Sequence, residues 1–166
     1  MLIRRLEAAD NVSSFCSGND ILDAWLKRNG LGNQHRYGVT YAAIHDSAIA
    51  GYVAVSASSI PRSRIGGGGP DSWPVLLLGR MATAQHLQRT ELKVGMQMLT
   101  HVFELAAQQY LHTGCAAVVV DSKPESVVFY SKYGFKPTKT NPDDAPSEQT
   151  QMYIAMKTVL RGMQGT

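Results

Sequence analysis

Few side chains in this sequence are spaced to do chemistry. Cys16 and Cys115 form no CxxC pair, so no metal centre is expected. Buried, reduced thiols are the expectation for both. No carboxylate is placed by the pattern as a general base. The run GGGG at 66–69 is not a phosphate cradle, because it leads into a strand and a phosphate loop opens a helix. The segment DSKPESVVFYSKYGF, residues 121–135, is of another kind. It sets a phenol, Tyr130, near the end of a short helix that Gly134 should stop. A positioned phenol can give a proton to a departing group. A tyrosine near a helix end is more often packing, so the chemical reading depends on what surrounds it.

The elements that would position Tyr130 can be read from the pattern. Ser122 and Glu125 fit a capping box, with Ser122 at the N-cap, and the helix runs to about residue 133. The apolar run CAAVVV at 115–120 reads as a buried strand just before it, and VLLLGRMA at 75–82 as another. Between them, residues 92–110 carry Leu92, Met98, Leu99, Val102, Phe103, Ala106 and Tyr110 on one helical stripe. Upstream lie a strand at 2–6, a helix at 20–28 capped by Asn19, and a hairpin of strands 39–45 and 49–57. A flexible loop spans 61–74. After a polar loop at 136–147 comes a last strand, 151–157, with a frayed tail beyond residue 160. The order β, α, β, β, β, α, β, α, β implies an α/β (α+β) fold: a mixed, mostly antiparallel central sheet flanked by helices.

Bulk composition agrees with one folded domain over 1–166. The 166 residues are 44% hydrophobic and 17% charged, a globular balance. No apolar run approaches the roughly 20 residues that span a bilayer, and MLIRRLEAAD has no apolar signal core, so a cytoplasmic protein with no membrane partner is expected. The net charge of +3 permits an anionic partner without demanding one.

Element order and motifs together resemble the GNAT superfamily of N-acetyltransferases, over nearly the whole chain. VVFYSKYGF, residues 127–135, matches the family's aromatic–Tyr pair followed by Gly-Phe, at Phe129, Tyr130, Gly134 and Phe135. The resemblance implies a sheet splayed at its central strands, acetyl-CoA as co-substrate, and Tyr130 as the general acid that protonates the expelled coenzyme A thiolate. LLLGRMAT, residues 76–83, resembles the strand whose main chain holds the acetyl carbonyl and pantetheine arm, which implies contacts from Met81, Ala82 and Thr83. The pyrophosphate loop, Gln/Arg-x-x-Gly-x-Gly/Ala in the family, falls on Gln88, Arg89, Thr90, Glu91, Leu92, Lys93, Val94 and Gly95. Here the pattern departs: counted from Gln88, the glycine positions hold Glu91 and Lys93, and a two-residue shift recovers only Gly95. Ser122, Ser126 and Phe129 complete the implied acetyl-CoA contacts.

The N-terminal half resembles the GNAT toxins of bacterial toxin–antitoxin pairs, through Phe15, Cys16, Leu22, Asp23, Trp25, Leu26, Gly51, Tyr52 and Ser56. That resemblance implies acetylation of the α-amino group of an aminoacyl-tRNA and a block of translation. It also implies a ribbon-helix-helix antitoxin partner and a homodimer. A tRNA substrate needs cations for its phosphates. Lys27, Arg28, Arg36 and Arg80 are the leading candidates, with Arg62, Arg64, Arg89 and Lys93 beside them; scattered surface charge is the competing reading. Two other functions stay open: acetylation of a small amine or protein N-terminus, and a non-catalytic GNAT-fold binding protein with a degenerate loop.

Overall fold

The computed structural model describes residues 1–32 and 34–165. Seven strands form one sheet in the order β1-β2-β3-β4-β5-β7-β6. They are β1 (Leu2–Arg5), β2 (Val39–His45), β3 (Ala48–Pro61), β4 (Ser72–Thr83), β5 (Ala117–Ser122), β6 (Lys136–Pro137) and β7 (Thr150–Ala155). The helices are α1 (Asp20–Asn29), α2 (Val94–His112), α3 (Val127–Lys132) and α4 (Met156–Gln164). The chain divides into two compact units, Met1–Ser56 with Leu78–Val102, and Ala57–Leu77 with Phe103–Thr166. Among the described residues no helix is long and apolar enough to cross a membrane.

In the first unit, β1 and β3 both pair antiparallel with β2. The β2–β3 turn needs only Asp46 and Ser47, at φ 50 and 64, the left-handed pair whose twist suits a tight hairpin. Helix α1 starts as expected: the Asn19 side chain accepts from the Leu22 N–H at 3.1 Å. It buries Leu22 and Leu26 against Ala42 and Tyr52. The Tyr52 ring, fully buried, stacks on Trp25 at 5.9 Å and meets the edge of Phe15 at 5.7 Å, while its hydroxyl donates to the Leu22 carbonyl at 2.7 Å. Asp23 is buried because it has work there: its carboxylate accepts from the Ser17 N–H and, at 2.6 Å, from the Ser17 hydroxyl. Gly51 is required by a close approach, since a Cβ there would stand 2.8 Å from the Ala82 carbonyl oxygen and 2.9 Å from Met98 Cε.

In the second unit, β7 pairs antiparallel with β5 and with β6. Ile60, Val75, Ala117 and Val119 form a core cluster joined by Trp73, Leu77 and Tyr153. Four expectations fail. Residues 156–164 are helical, not strand and frayed tail, because Met156 and Val159 are buried and hold the segment down. The long loop is shorter than 61–74, since β3 runs to Pro61 and β4 starts at Ser72. Tyr110 is 48% exposed and not on the buried stripe of α2. Buried Val94, Met98, Leu99, Val102 and Ala106 mark the covered face of α2, and that cover ends before position 110, two residues from the helix end at His112. Finally, Cys16 is exposed and only Cys115 is buried; both are free thiols.

Candidate active site

Tyr130 lies on α3, which ends as its sequence demands. Gly134 adopts φ 100, and the Tyr130 carbonyl accepts from the N–H groups of Tyr133 and Phe135, both at 3.1 Å. Phe129 and Phe135 meet the Tyr130 ring edge-on at 5.2 and 5.3 Å. Phe129 is half-buried, so it fixes the phenol by packing. The start of α3 is not the capping box. Ser122 finishes β5 opposite Thr150, is buried, and donates its hydroxyl to the Lys123 carbonyl at 2.9 Å. Lys123 is held extended, at φ −65 and ψ 155, as a residue before proline must be. A 3₁₀ turn, Pro124–Ser126, follows and α3 begins only at Val127, with no side chain capping it.

Tyr52 and Tyr130 are both buried, and their hydroxyls differ. Burial pushes both phenol pKa values up, so both stay protonated across the physiological range. Tyr52 spends its proton on Leu22. The Tyr130 hydroxyl has no hydrogen-bond partner among the described residues, and it is not one of the sealed polar atoms such as Arg62 Nε and Arg80 Nε. It therefore reaches accessible space while its ring stays buried. A protonated phenol with an unspent, accessible O–H is what a proton donor needs.

The first unit contains the predicted main-chain and loop sites. Met81, Ala82 and Thr83 end β4. The loop that follows, 84–93, is tied down by side chains: Gln88 Nε2 donates to the carbonyls of Thr83 at 2.9 Å and Ser17 at 2.8 Å, and Thr90 Oγ1 to Leu87 at 2.8 Å. Gln88 thus works as a staple. The conformation answers the missing glycines: Lys93 takes φ 50 and Arg89 φ 60, left-handed positions that glycine would adopt without strain. Counted from Gln88, Lys93 is the second glycine position. The Lys93 N–H closes a turn onto the Thr90 carbonyl at 3.1 Å, and α2 opens immediately after at Val94 and Gly95. Gln97 Nε2 reaches back to the Leu92 carbonyl at 2.7 Å. Arg89, Glu91 and Lys93 are exposed. A loop opening a helix N-terminus with two cations beside it fits an anionic group such as a pyrophosphate.

Lys27 and Arg28 are exposed in the last turn of α1, and Arg36 lies over the Tyr37 ring at 5.2 Å. The Arg80 guanidinium lies 5.8 Å over Trp25, so an aromatic face and not a carboxylate holds it, and its Nε has no partner. These four belong to the first unit. Arg62 and Arg64, in the second, are spent internally: Arg62 donates to the Gly67 carbonyl at 2.7 Å and Arg64 grips Asp144. Among the described residues no group of three or more His, Cys, Asp or Glu could hold a metal ion.

The acetyltransferase (GNAT) domain family matches residues 24–156. The chain belongs to the GNAT acetyltransferases. As a member of that family it is an N-acetyltransferase, and its seven-stranded, mostly antiparallel sheet flanked by helices is the family's fold. A tRNA-acetylating toxin of Mycobacterium tuberculosis (strain ATCC 25618 / H37Rv) is 29% identical over 145 residues, 84% of this chain and 86% of the relative. Among solved structures, the toxin AtaT complexed with acetyl-methionyl-tRNAfMet superposes with a TM-score of 0.82 at 16% identity, over 98% of each chain. A Tyr-to-Phe mutant of AtaT bound to the C-terminus of the antitoxin AtaR and acetyl-CoA superposes at 0.76 with 18% identity, over 98% of this chain and 97% of that one. Sequence reasoning missed the left-handed Arg89 and Lys93, which only backbone geometry reveals.

Proposed function

We propose that this GNAT enzyme is a toxin that transfers the acetyl group of acetyl-CoA to the α-amino group of an aminoacyl-tRNA, and so blocks translation. The observation that carries the reading is the Tyr130 phenol, kept protonated by burial with its O–H unspent. The tRNA-acetylating relative supports the acceptor class.

In this reading the main-chain N–H groups at the start of α2, with Arg89 and Lys93, hold the pyrophosphate. Main-chain groups of Met81, Ala82 and Thr83 hold the acetyl carbonyl and offset the charge that grows on its oxygen, a contribution of ~3–4 kcal/mol per donor in well-studied enzymes. The substrate amine forms the C–N bond as the C–S bond breaks. Tyr130 gives its proton to the departing sulfur, and the proton released by the amine restores the phenol through water. Phe129 steadies the phenol and, with Ser122 and Ser126, contacts acetyl-CoA. Lys27, Arg28, Arg36 and Arg80 meet RNA phosphates.

The whole chain 1–166 acts as one acetyltransferase domain, works in the cytoplasm as a homodimer, and is held in check by a ribbon-helix-helix antitoxin. The antitoxin-bound AtaT neighbour supports the partner class. Labelled acetyl-CoA supplied with total charged tRNA tests the reaction. Label should pass to the aminoacyl group with wild type and fall ~10²–10⁴-fold with Tyr130→Phe. Undiminished transfer by Tyr130→Phe would remove the general acid, and no transfer by wild type would remove the acceptor.

A further inference from the structure

The second unit carries a cleft of about 690 Å³ that none of the roles above uses. Its floor is the end of β3 at Ser59 and Ile60, with Asp121 of β5 and Gln151 of β7; its wall is the loop 138–149. That loop is strapped to the segment after β3. Arg64 makes paired bonds to Asp144, both 2.6 Å, and the Lys139 N–H donates to the Arg64 carbonyl at 2.8 Å. The Asn141 N–H adds a bond to the same Asp144 carboxylate at 2.8 Å.

The strap decides the electrostatics of the cleft. Arg64 is the cation lining it among the described residues, and Asp144 and Asp121 are the carboxylates. Arg64 and Asp144 cancel each other. The other polar lining is hydroxyl or amide, from residues such as Thr140, Ser147 and Gln149, and is neutral. Asp121 is exposed, and no hydrogen bond or ion pair engages its carboxylate among the described residues. One unspent negative charge in a neutral, hydrogen-bonding cleft repels a phosphate and suits an ammonium group.

We propose that Asp121 receives the acceptor's α-ammonium group in this cleft and orients it for attack. The inference rests on the acetyl-transfer reading. The carboxylate binds and orients the ammonium group, and the ammonium proton leaves to water before the C–N bond forms. The neutral hydroxyls and amides are left for the uncharged parts of the acceptor around its amine. Asp121 is thus an acceptor-binding residue, distinct from the proton donor Tyr130.

The test is steady-state acetyl transfer from acetyl-CoA to charged tRNA, and to a panel of amino-acid amides, by wild type, Asp121→Asn and Asp121→Glu. Asp121→Asn should raise the acceptor KM about tenfold or more, as expected for loss of a charge-assisted hydrogen bond. It should leave the thermal shift given by acetyl-CoA unchanged. Asp121→Glu should recover part of the KM. Because Asp121 makes no internal bond, all three proteins should melt together. An unchanged acceptor KM in Asp121→Asn overturns this proposal alone, as does a KM change confined to acetyl-CoA. A wild type that transfers to no amine overturns the acetyl-transfer reading and this inference with it.

Discussion

Tyr52 and Tyr130 give a paired experiment in which fold and chemistry separate. Replacing Tyr52 with phenylalanine keeps the ring, its stack on Trp25 and its edge contact with Phe15, and deletes only the 2.7 Å bond to the Leu22 carbonyl. That carbonyl belongs to the first turns of α1, so the change should cost about 1 kcal/mol, the net worth of a buried neutral hydrogen bond. For a chain of this size 1 kcal/mol lowers Tm by about 2–4 °C. Tyr130→Phe deletes a hydroxyl that bonds to nothing in the described protein, so its Tm should stay within about 1 °C. Its acetyl-transfer rate should fall ~10²–10⁴-fold, whereas Tyr52→Phe should retain turnover at temperatures where it is folded. Differential scanning calorimetry and single-turnover transfer, run on the same preparations, read both axes. Tyr130→Phe that loses as much Tm as Tyr52→Phe while still turning over would refute the reasoning, because the Tyr130 hydroxyl would then be structural.

Three further outcomes follow from the geometry. Lys93→Gly should raise Tm by about 1–3 °C, because glycine takes φ 50 without the ~1 kcal/mol strain of a side chain, while β-branched Lys93→Val should lower it; both are read by thermal melting. Asp144, held down to about 2 by Arg64, should titrate there in a carboxyl NMR experiment, with Arg64→Ala moving its midpoint up toward the ordinary value near 4. Since the folded value is the lower one, the strap's contribution is fully present above about pH 4 and is lost as pH falls through about 2. Gly51→Ala would drive a methyl group to 2.8 Å from the Ala82 carbonyl and 2.9 Å from Met98 Cε, and should cost about 1–3 kcal/mol in denaturant unfolding.

The parts legible in the sequence are those governed by local rules. Asn19 caps α1 because its side chain reaches the Leu22 N–H within one turn, and Gly134 stops α3 because only its φ of 100 is cheap there. The apolar runs gave β4 and β5 for the same reason. Misreadings came where a longer-range demand prevailed. Ser122 and Glu125 have capping-box spacing, but Ser122 is claimed by its pairing with Thr150 and Pro124 forces Lys123 to stay extended. The C-terminal segment reads as a strand end and a frayed tail, yet burial of Met156 and Val159 fixes it as a helix. The proposed acid, Tyr130, is picked out in the sequence by its neighbours. The role proposed for Asp121 is not, because it depends on Arg64 neutralising Asp144 eighty residues further along, which no local pattern encodes.

The left-handed Lys93 and Arg89 carry one more consequence. A glycine-rich loop is cheap to bend and expensive to immobilise, since glycine loses the most backbone freedom on ordering. A loop bent by residues with side chains reverses that balance: its cost is steric strain, an enthalpy, and less chain entropy is lost when it sets. Entropic costs grow with temperature and enthalpic ones do not. The loop before α2 should therefore keep its order on warming better than a glycine-built equivalent, and its affinity for an anion should fade more slowly with heat.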